Sequence, residues 1–520
     1  MTGPGMLRVL ACAIALIATL PGANAQTAAK RDYLEHCVTC HGADRLGAMG
    51  PALLPSSLER LRRPAAEKVI AEGRIATQMQ GFSGKLTADR IRGLVDFIYS
   101  EPDVAPEWGE AQLRASRIEH YAPALLPAKP VFAADPLNLF LVVEAGDHSV
   151  TILDGDKLEP VTRFPSRYAL HGGPKFSPDG RFVYFASRDG WISKYDLWNL
   201  KLIAEVRAGI NTRNAAVSGD GKFIAVANYL PHTLVLLDAD LNLVKILAAK
   251  DQAGARSSRV SAVYDAAPRR SFVVALKDVP EVWEVSYDPN AQDIAAGLIH
   301  DFRYREGAFI PGFLNPRRSV LDDVLDDFFF TPDYSELIGA SREGARGQVV
   351  HLDVRRRIAT LDLPGMPHLG SGITWNYMGR EVMATPNLRE GLVSVIDIKS
   401  WKTIRQIRTP GPGFFMRSHE NSHYAWVDSM MSESRDTLQL IDKKTLEIVA
   451  QLRPVPGKTL AHVEFTRDGR YALASLWEDD GAIIVFDAAT LKEVKRIPMR
   501  RPVGKYNVYN KITRSEGTSH

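Results

Sequence analysis

From about residue 131 to the C-terminus the chain alternates short apolar runs with polar punctuation. Runs such as "LFLVVEA", "FVYFASR", "FIAVANY", "SFVVALK" and "YALASLW" are each followed by a second run such as "SVTILD", "WISKYDL", "TLVLLD" or "AIIVFD". Runs this short, rich in β-branched and aromatic residues and bounded by Gly, Pro, Asp and Ser, predict strands. Turn signals at Ser177–Gly180, Ser218–Gly221, Thr331–Tyr334 and Thr466–Gly469 precede strand pairs, and the pairs usually end in Asp. Opening strands start near 137, 181, 222, 271, 335, 380, 423 and 470. Most of these intervals match the roughly 40 to 50 residues of a four-stranded propeller blade, so an eight-bladed β-propeller is expected. The stretch from 271 to 335 is too long for one blade. Its surplus, "FRYREGAFIPGFLNPRRSVLDDVLDD", is expected to be a loop over the propeller mouth.

The first hundred residues have a different texture. "TADRIRGLVDFIYS" spaces its apolar residues as a helix does, with Thr87 as candidate cap, and "AAKRDYLEHCVTCHG" also reads as helical. Between Glu101 and Pro130 the composition turns Pro-rich, as in a linker. At the start, Arg8 precedes the apolar run Val9–Leu20, then Pro21-Gly22 and Ala23 and Ala25 at spacing that suits signal peptidase. The expected organisation is a signal peptide over residues 1–25, cleaved after Ala25, a small all-α domain over 26–104, a linker over 105–130 and an all-β eight-bladed propeller over 131–520. The apolar run is too short to span a bilayer, which takes about 20 residues, so export to the periplasm without a membrane span is expected. Cys12 is a weak lipobox match.

Charge narrows the partners. With 64 Lys plus Arg against 61 acidic residues the net charge is +3, which gives no electrostatic case for nucleic acid or an anionic membrane. Removal of the signal peptide leaves Cys37 and Cys40 alone, in "CVTCH". A local disulfide is one reading, and zinc would need two further ligands. His41 directly after the pair favours c-type haem, with both thiols as thioethers and His41 as axial ligand. The segment is thus expected to be a cytochrome c domain whose sixth ligand is a Met on a later loop, where the soft thioether raises the potential. Met79 in "ATQMQGF" is preferred to Met49.

In the propeller, His171 in "RYALHGGPKF" stands beside two glycines that let a broad ligand approach the backbone. "RDGWISKYDLW", "GINTRN" and the closing "RPVGKYNVYN" accompany it. These segments resemble the haem d1-binding propeller of cytochrome cd1 nitrite reductase, which joins a c-type cytochrome to eight blades, and the resemblance covers essentially the whole mature chain. It implies His171 as proximal iron ligand and Arg213 as partner of a haem carboxylate. The reductase's two distal histidines are only half kept. "GMPHLGSG" retains His368, but "VLDDVLDDFFF" supplies no second His, the closing segment has Tyr506, and "LAHVEF" adds His462. With "LPGMPHLGSG" and "DDFFFTPDYSELIGASREGARGQVVHLD", these features are similar to the NirN-type dihydro-haem d1 dehydrogenases, which convert a propionate of dihydro-haem d1 to acrylate. The related NirF propeller lacks the CxxCH domain.

The resemblance implies that His171 and His368 ligate iron from opposite sides, Arg213 orients a carboxylate, and His462 and Tyr506 flank the reacting propionate, one taking a proton and the other positioning or relaying it. Desaturation releases two protons and two electrons, and the chain carries no nicotinamide or flavin fingerprint, so the electrons are expected to pass through the covalent haem c to an external acceptor such as a small periplasmic cytochrome c or cupredoxin. A haem d1 carrier delivering to nitrite reductase, and a nitrite reductase, stand as alternatives. A monomer is expected by the same resemblance. His419 and His423 read as structural.

Overall fold

The computed structural model describes residues 21–48, 50–59, 61–73, 79–301, 306–340, 346–514 and 516–518. The apolar run of the expected signal peptide, Cys12 within it, and Met49 lie outside these residues. Five helices form the N-terminal domain: α1 (Pro21–His36), α2 (Val38–His41), α3 (Pro55–Leu58), α4 (Arg63–Glu72) and α5 (Ala88–Ile98). Thr87 caps α5 by accepting the Arg90 N–H at 3.4 Å. The buried face of α5, Ile91, Leu94, Val95 and Ile98, packs with Tyr33 of α1 and Ile70 of α4 into one core. None of the described helices is long and apolar enough to cross a membrane.

Among the described residues eight antiparallel blades follow, seven of four strands and one, blade 2, of five, with a separate two-stranded hairpin. The ring closes through blade 1, whose inner strand is the C-terminal Pro502–Asn507, paired with Leu139–Glu144 near the start of the propeller. Joining the two ends of the propeller in one sheet ties its last strand to its first blade and closes the ring. Blades 2 to 8 have inner strands Lys175–Phe176, Asn211–Val217, Val260–Ala266, Asp327–Phe330, Ile373–Tyr377, Met416–Arg417 and Leu460–Phe465.

The repeated turns have one chemistry. Ser177, Ser218, Thr331 and Thr466 each accept, through the side-chain oxygen, the N–H five residues later, while that hydroxyl donates to the Asp two residues on. At the ends of third strands, Asp154, Asp196, Asp238, Asp397, Asp442 and Asp487 accept the backbone N–H groups of the next turn. Short side chains that satisfy a turn backbone are why these residue types recur.

Two expectations change. The Pro-rich stretch after the helical domain is built onto blade 2: α6 (Glu110–Ala115) buries Leu113 in the blade core, and Ile118–Glu119 adds a fifth strand outside Lys201–Arg207. The long insertion is not a loop over the mouth. Its hairpin, Ile294–Asp301 with Glu306–Ile310, joins the third and fourth strands of blade 4. In an antiparallel meander that connection lies at the same end as the Ser/Thr-x-Asp turns, opposite the end where one blade passes to the next. Among the described residues of the quoted stretch, which exclude residues 302–305, Asp326 and Asp327 reach the mouth.

Candidate functional site

Connections between successive blades gather at one end of the ring, and the expected propeller residues gather with them. His171, Arg213, His368, His462 and Tyr506 all line one cavity of about 400 Å³. Its far side is closed by α7 (Val508–Thr513), which contributes Lys511, and by the tail beyond it. Asn510 donates to Glu464 at 3.1 Å, Arg514 to Asp265 at 2.9 Å, and the Gly517 carbonyl accepts from Ser418 at 3.1 Å. These contacts reach blades 8, 4 and 7, so the tail plugs the channel and makes the mouth a blind pocket.

The three histidines expected to hold iron share one arrangement. His41 Nδ1 lies 2.8 Å from the Pro51 carbonyl, His171 Nδ1 2.7 Å from the Arg213 carbonyl and His368 Nδ1 2.5 Å from the Phe414 carbonyl. A carbonyl can only accept, so each Nδ1 carries the proton and each Nε2 carries the lone pair that a metal needs. His419 differs. Its Nδ1 accepts the Asn421 N–H at 3.1 Å and its Nε2 donates to the Arg467 carbonyl at 3.2 Å, the opposite tautomer, whereas the His171 Nε2 lone pair faces the guanidinium groups of Arg188 at 3.0 Å and Arg213 at 3.2 Å.

His462 and Tyr506 form a second kind of site. His462 sits at a bulge between Ala461 and Val463 in the inner strand of blade 8, with φ 52°. Its ring meets Tyr506 edge to face at 5.2 Å and Phe415 at 4.7 Å. Its Nδ1 is buried without a hydrogen-bond partner. Burial, reinforced by Lys505, Arg417 and Lys511, holds the His462 pKa well below the ordinary value, so the imidazole is neutral. Burial pushes Tyr506 up to about 12, so its hydroxyl stays protonated. A Cβ on Gly173 would stand 2.9 Å from the Tyr506 ring and one on Gly504 2.7 Å from its hydroxyl, so two glycines make the slot that holds this tyrosine.

A larger cavity, about 990 Å³, lies between the helical domain and the propeller. Cys37, Cys40, His41 and Met79 line one side, and Tyr168, Arg188 and Tyr229 of the propeller line the other. The two sulfurs are not bonded to each other. Thiols, imidazole and thioether in one apolar cavity fit a covalent haem with His and Met ligands. Arg188 also places Nη2 3.0 Å from His171 Nε2, so a single side chain touches both cavities. The domains are pinned beside it: Arg207 donates to the carbonyls of Leu46, in the haem loop, and of Asp189 at 2.8 Å, and stacks on Trp108.

Comparison with known proteins matches this division. Residues 134–511 fit the model of the cytochrome D1 haem domain, and residues 24–98 fit that of the cbb3-type cytochrome c oxidase subunit III. Over 515 residues the chain is 55% identical to the dihydro-haem d1 dehydrogenase of Pseudomonas aeruginosa, covering 99% of this chain and 100% of that one. The chain belongs to the dihydro-haem d1 dehydrogenase family. A solved structure titled dihydro-haem d1 dehydrogenase NirN in complex with DHE has a TM-score of 0.87 and 56% identity, over 93% of this chain and all of the other. A nitrite reductase of Stutzerimonas stutzeri is 25% identical, over 94% of this chain and 93% of its own length. As a member of the family the protein is an oxidoreductase, and its two domain models make haem c its covalent cofactor and a haem d1-type tetrapyrrole the ligand it binds.

The dehydrogenase pocket also holds charges that sequence reasoning missed. Lys175, Arg417 and Lys511 join Arg213 in its wall, and Lys175 with Arg213 is suited to the carboxylates of a tetrapyrrole. Burial brings Lys175 down to about 8 and Lys511 well below the usual lysine value. Arg417 is held by Glu464 at 2.5 Å, with both partners almost fully buried. Lys175 has a legible signal, four residues after His171 in "HGGPKF", whereas Arg417 and Lys511 have none. Where the reductase pattern has its second distal His, Asp326 pairs with Lys277 and Asp327 accepts the Tyr264 hydroxyl at 2.9 Å.

Proposed function

We propose that this protein oxidises a propionate side chain of dihydro-haem d1 to acrylate, releasing two protons and two electrons and forming one C=C bond. The observation that carries the reading is the pairing of Tyr506 with His462 in the wall of the cavity that also holds His171 and His368. Haem c, when bound, supplies a one-electron acceptor on the other side of Arg188. His171 and His368 present Nε2 toward the substrate iron from blades 2 and 6, and Arg213, with Lys175, pairs with substrate carboxylates. Tyr506 is partly exposed to the cavity and His462 is buried behind it. Tyr506 therefore meets the C–H groups, and neutral His462 takes the proton that Tyr506 passes on. With its pKa near 12, Tyr506 alone is a poor base at neutral pH and needs that partner.

The electrons leave one at a time to an external periplasmic redox protein, and the product passes to nitrite reductase as recipient. The protein works as an exported monomer in the periplasm. Nitrite reduction itself is disfavoured, because Asp326 and Asp327 supply no second imidazole to protonate nitrite.

The test is anaerobic incubation of the oxidised protein with dihydro-haem d1 and an excess of a one-electron acceptor, which takes the electron that haem c cannot hold, followed by extraction and mass measurement. Loss of two hydrogens supports the dehydrogenase. An unchanged tetrapyrrole that then transfers intact to nitrite reductase would make the protein a carrier only.

A further inference from the structure

We infer that Asp428 is a positioning residue that sets both the distal His368 and the His462 bulge. This rests on the reading of His368 as the distal iron ligand. Asp428 ends the second strand of blade 7 and is 1% exposed. Its Oδ1 accepts the Phe414 N–H at 2.7 Å and the Met430 N–H at 3.4 Å, and its Oδ2 accepts the Phe415 N–H at 3.1 Å and the His462 N–H at 3.5 Å. The Phe414 carbonyl then takes the His368 Nδ1 proton, and the Phe415 ring stands edge-on to His462. One carboxylate thus ties loops of blades 6, 7 and 8 at the points where two functional imidazoles are aimed.

The geometry explains why a carboxylate is needed. Four backbone N–H groups converge on two acceptor oxygens, an arrangement no neutral side chain of the same size reproduces, because an amide turns one oxygen into a donor. Lys505, itself fully buried, donates to the His462 carbonyl and to Ser475 at 2.9 Å, so the bulge is held from its other side as well. His171 is independent of this set. Its carbonyl anchor belongs to Arg213 in blade 3, so Asp428 bears on the distal side alone.

The experiment compares Asp428→Asn, His368→Ala and the parent protein, each holding haem c, after loading with dihydro-haem d1, by the optical and electron paramagnetic resonance signature of the bound iron. Asp428→Asn should lose the low-spin two-histidine signature, as His368→Ala does, and release the tetrapyrrole about 10 to 100-fold more readily. Its haem c spectrum and melting temperature report that the fold is kept. A parent-like signature in Asp428→Asn, with His368→Ala altered, overturns the role of Asp428 and leaves the distal assignment standing. An unaltered signature in His368→Ala overturns both. If Asp428→Asn does not accumulate, Asp428→Glu, which keeps two acceptors but displaces them, is read in the same way: altered distal ligation supports the inference and parent-like ligation contradicts it.

Discussion

The haem motif of the helical domain and the mouth of the propeller aim imidazoles by the same device but assemble it over different distances. His41 is locked by a carbonyl ten residues away, on a loop that doubles back over its own motif. His171 and His368 are locked by carbonyls 42 and 46 residues away, each on the next blade. The first site is a property of one short segment. The second exists only when neighbouring blades are packed in register, so anything that shifts one blade against the next re-aims one of these imidazoles. That difference separates a part able to hold its cofactor alone from one that depends on the closed ring.

The comparison can be broken most forcefully at His171. Replacing it with Ala should abolish retention of dihydro-haem d1, with activity falling by more than about 100-fold, while the haem c spectrum stays that of the parent. Gel filtration of the loaded protein checks this, and a disturbed haem c would show the two sites are not separate. Tyr506→Phe comes next. Loss of the hydroxyl should slow dehydrogenation by about 10² to 10⁴-fold with tetrapyrrole binding intact, measured by single-turnover product mass. His462→Gln removes the group that takes the proton and should also cost about 10² to 10⁴-fold, with an effect that does not titrate near neutral pH, because His462 is already deprotonated there.

Smaller effects sharpen the electrostatic side. Lys175 is brought down to about 8, so it is charged below that pH and neutral above it. Pairing with a substrate carboxylate favours the charged form, and affinity for dihydro-haem d1 should therefore weaken as pH rises through about 8. A titration of binding against pH should lose this step in Lys175→Met. The smallest change is expected for Arg207→Ala, which frees the haem loop from blade 2. Ligation at both sites should persist while haem c reduction slows, as read by rapid mixing.

How much of this was legible depended on how local each feature is. The blades could be read because Ser177, Ser218, Thr331 and Thr466 repeat one turn chemistry, and terminal aspartates such as Asp196 and Asp442 repeat another. "CVTCH" carried its own cofactor. In the mouth, His171, Arg213, His368, His462 and Tyr506 were legible through resemblance, and the structure places all five on one cavity wall. Asp428, Arg417 and Lys511 were not, because each acts through partners on other blades or the C-terminal plug, and an isolated buried charge leaves no pattern in its own segment. The hairpin of blade 4 was placed at the wrong end for a related reason. Its length showed as an insertion, but which end it leaves from depends on which pair of strands it joins. Nor did the sequence reveal that Arg207 and Trp108 clamp the helical domain, which sets Arg188 between the two cavities.

The most direct test is anaerobic single-turnover mixing of the oxidised protein with dihydro-haem d1 and one equivalent of a one-electron acceptor, since haem c holds only one of the two electrons released, following haem c absorbance and tetrapyrrole mass in the same samples. The account predicts that haem c becomes reduced as the two-hydrogen loss appears, and that Tyr506→Phe slows both together. Acrylate formed while haem c stays oxidised, or haem c reduced with the tetrapyrrole unchanged, would contradict it.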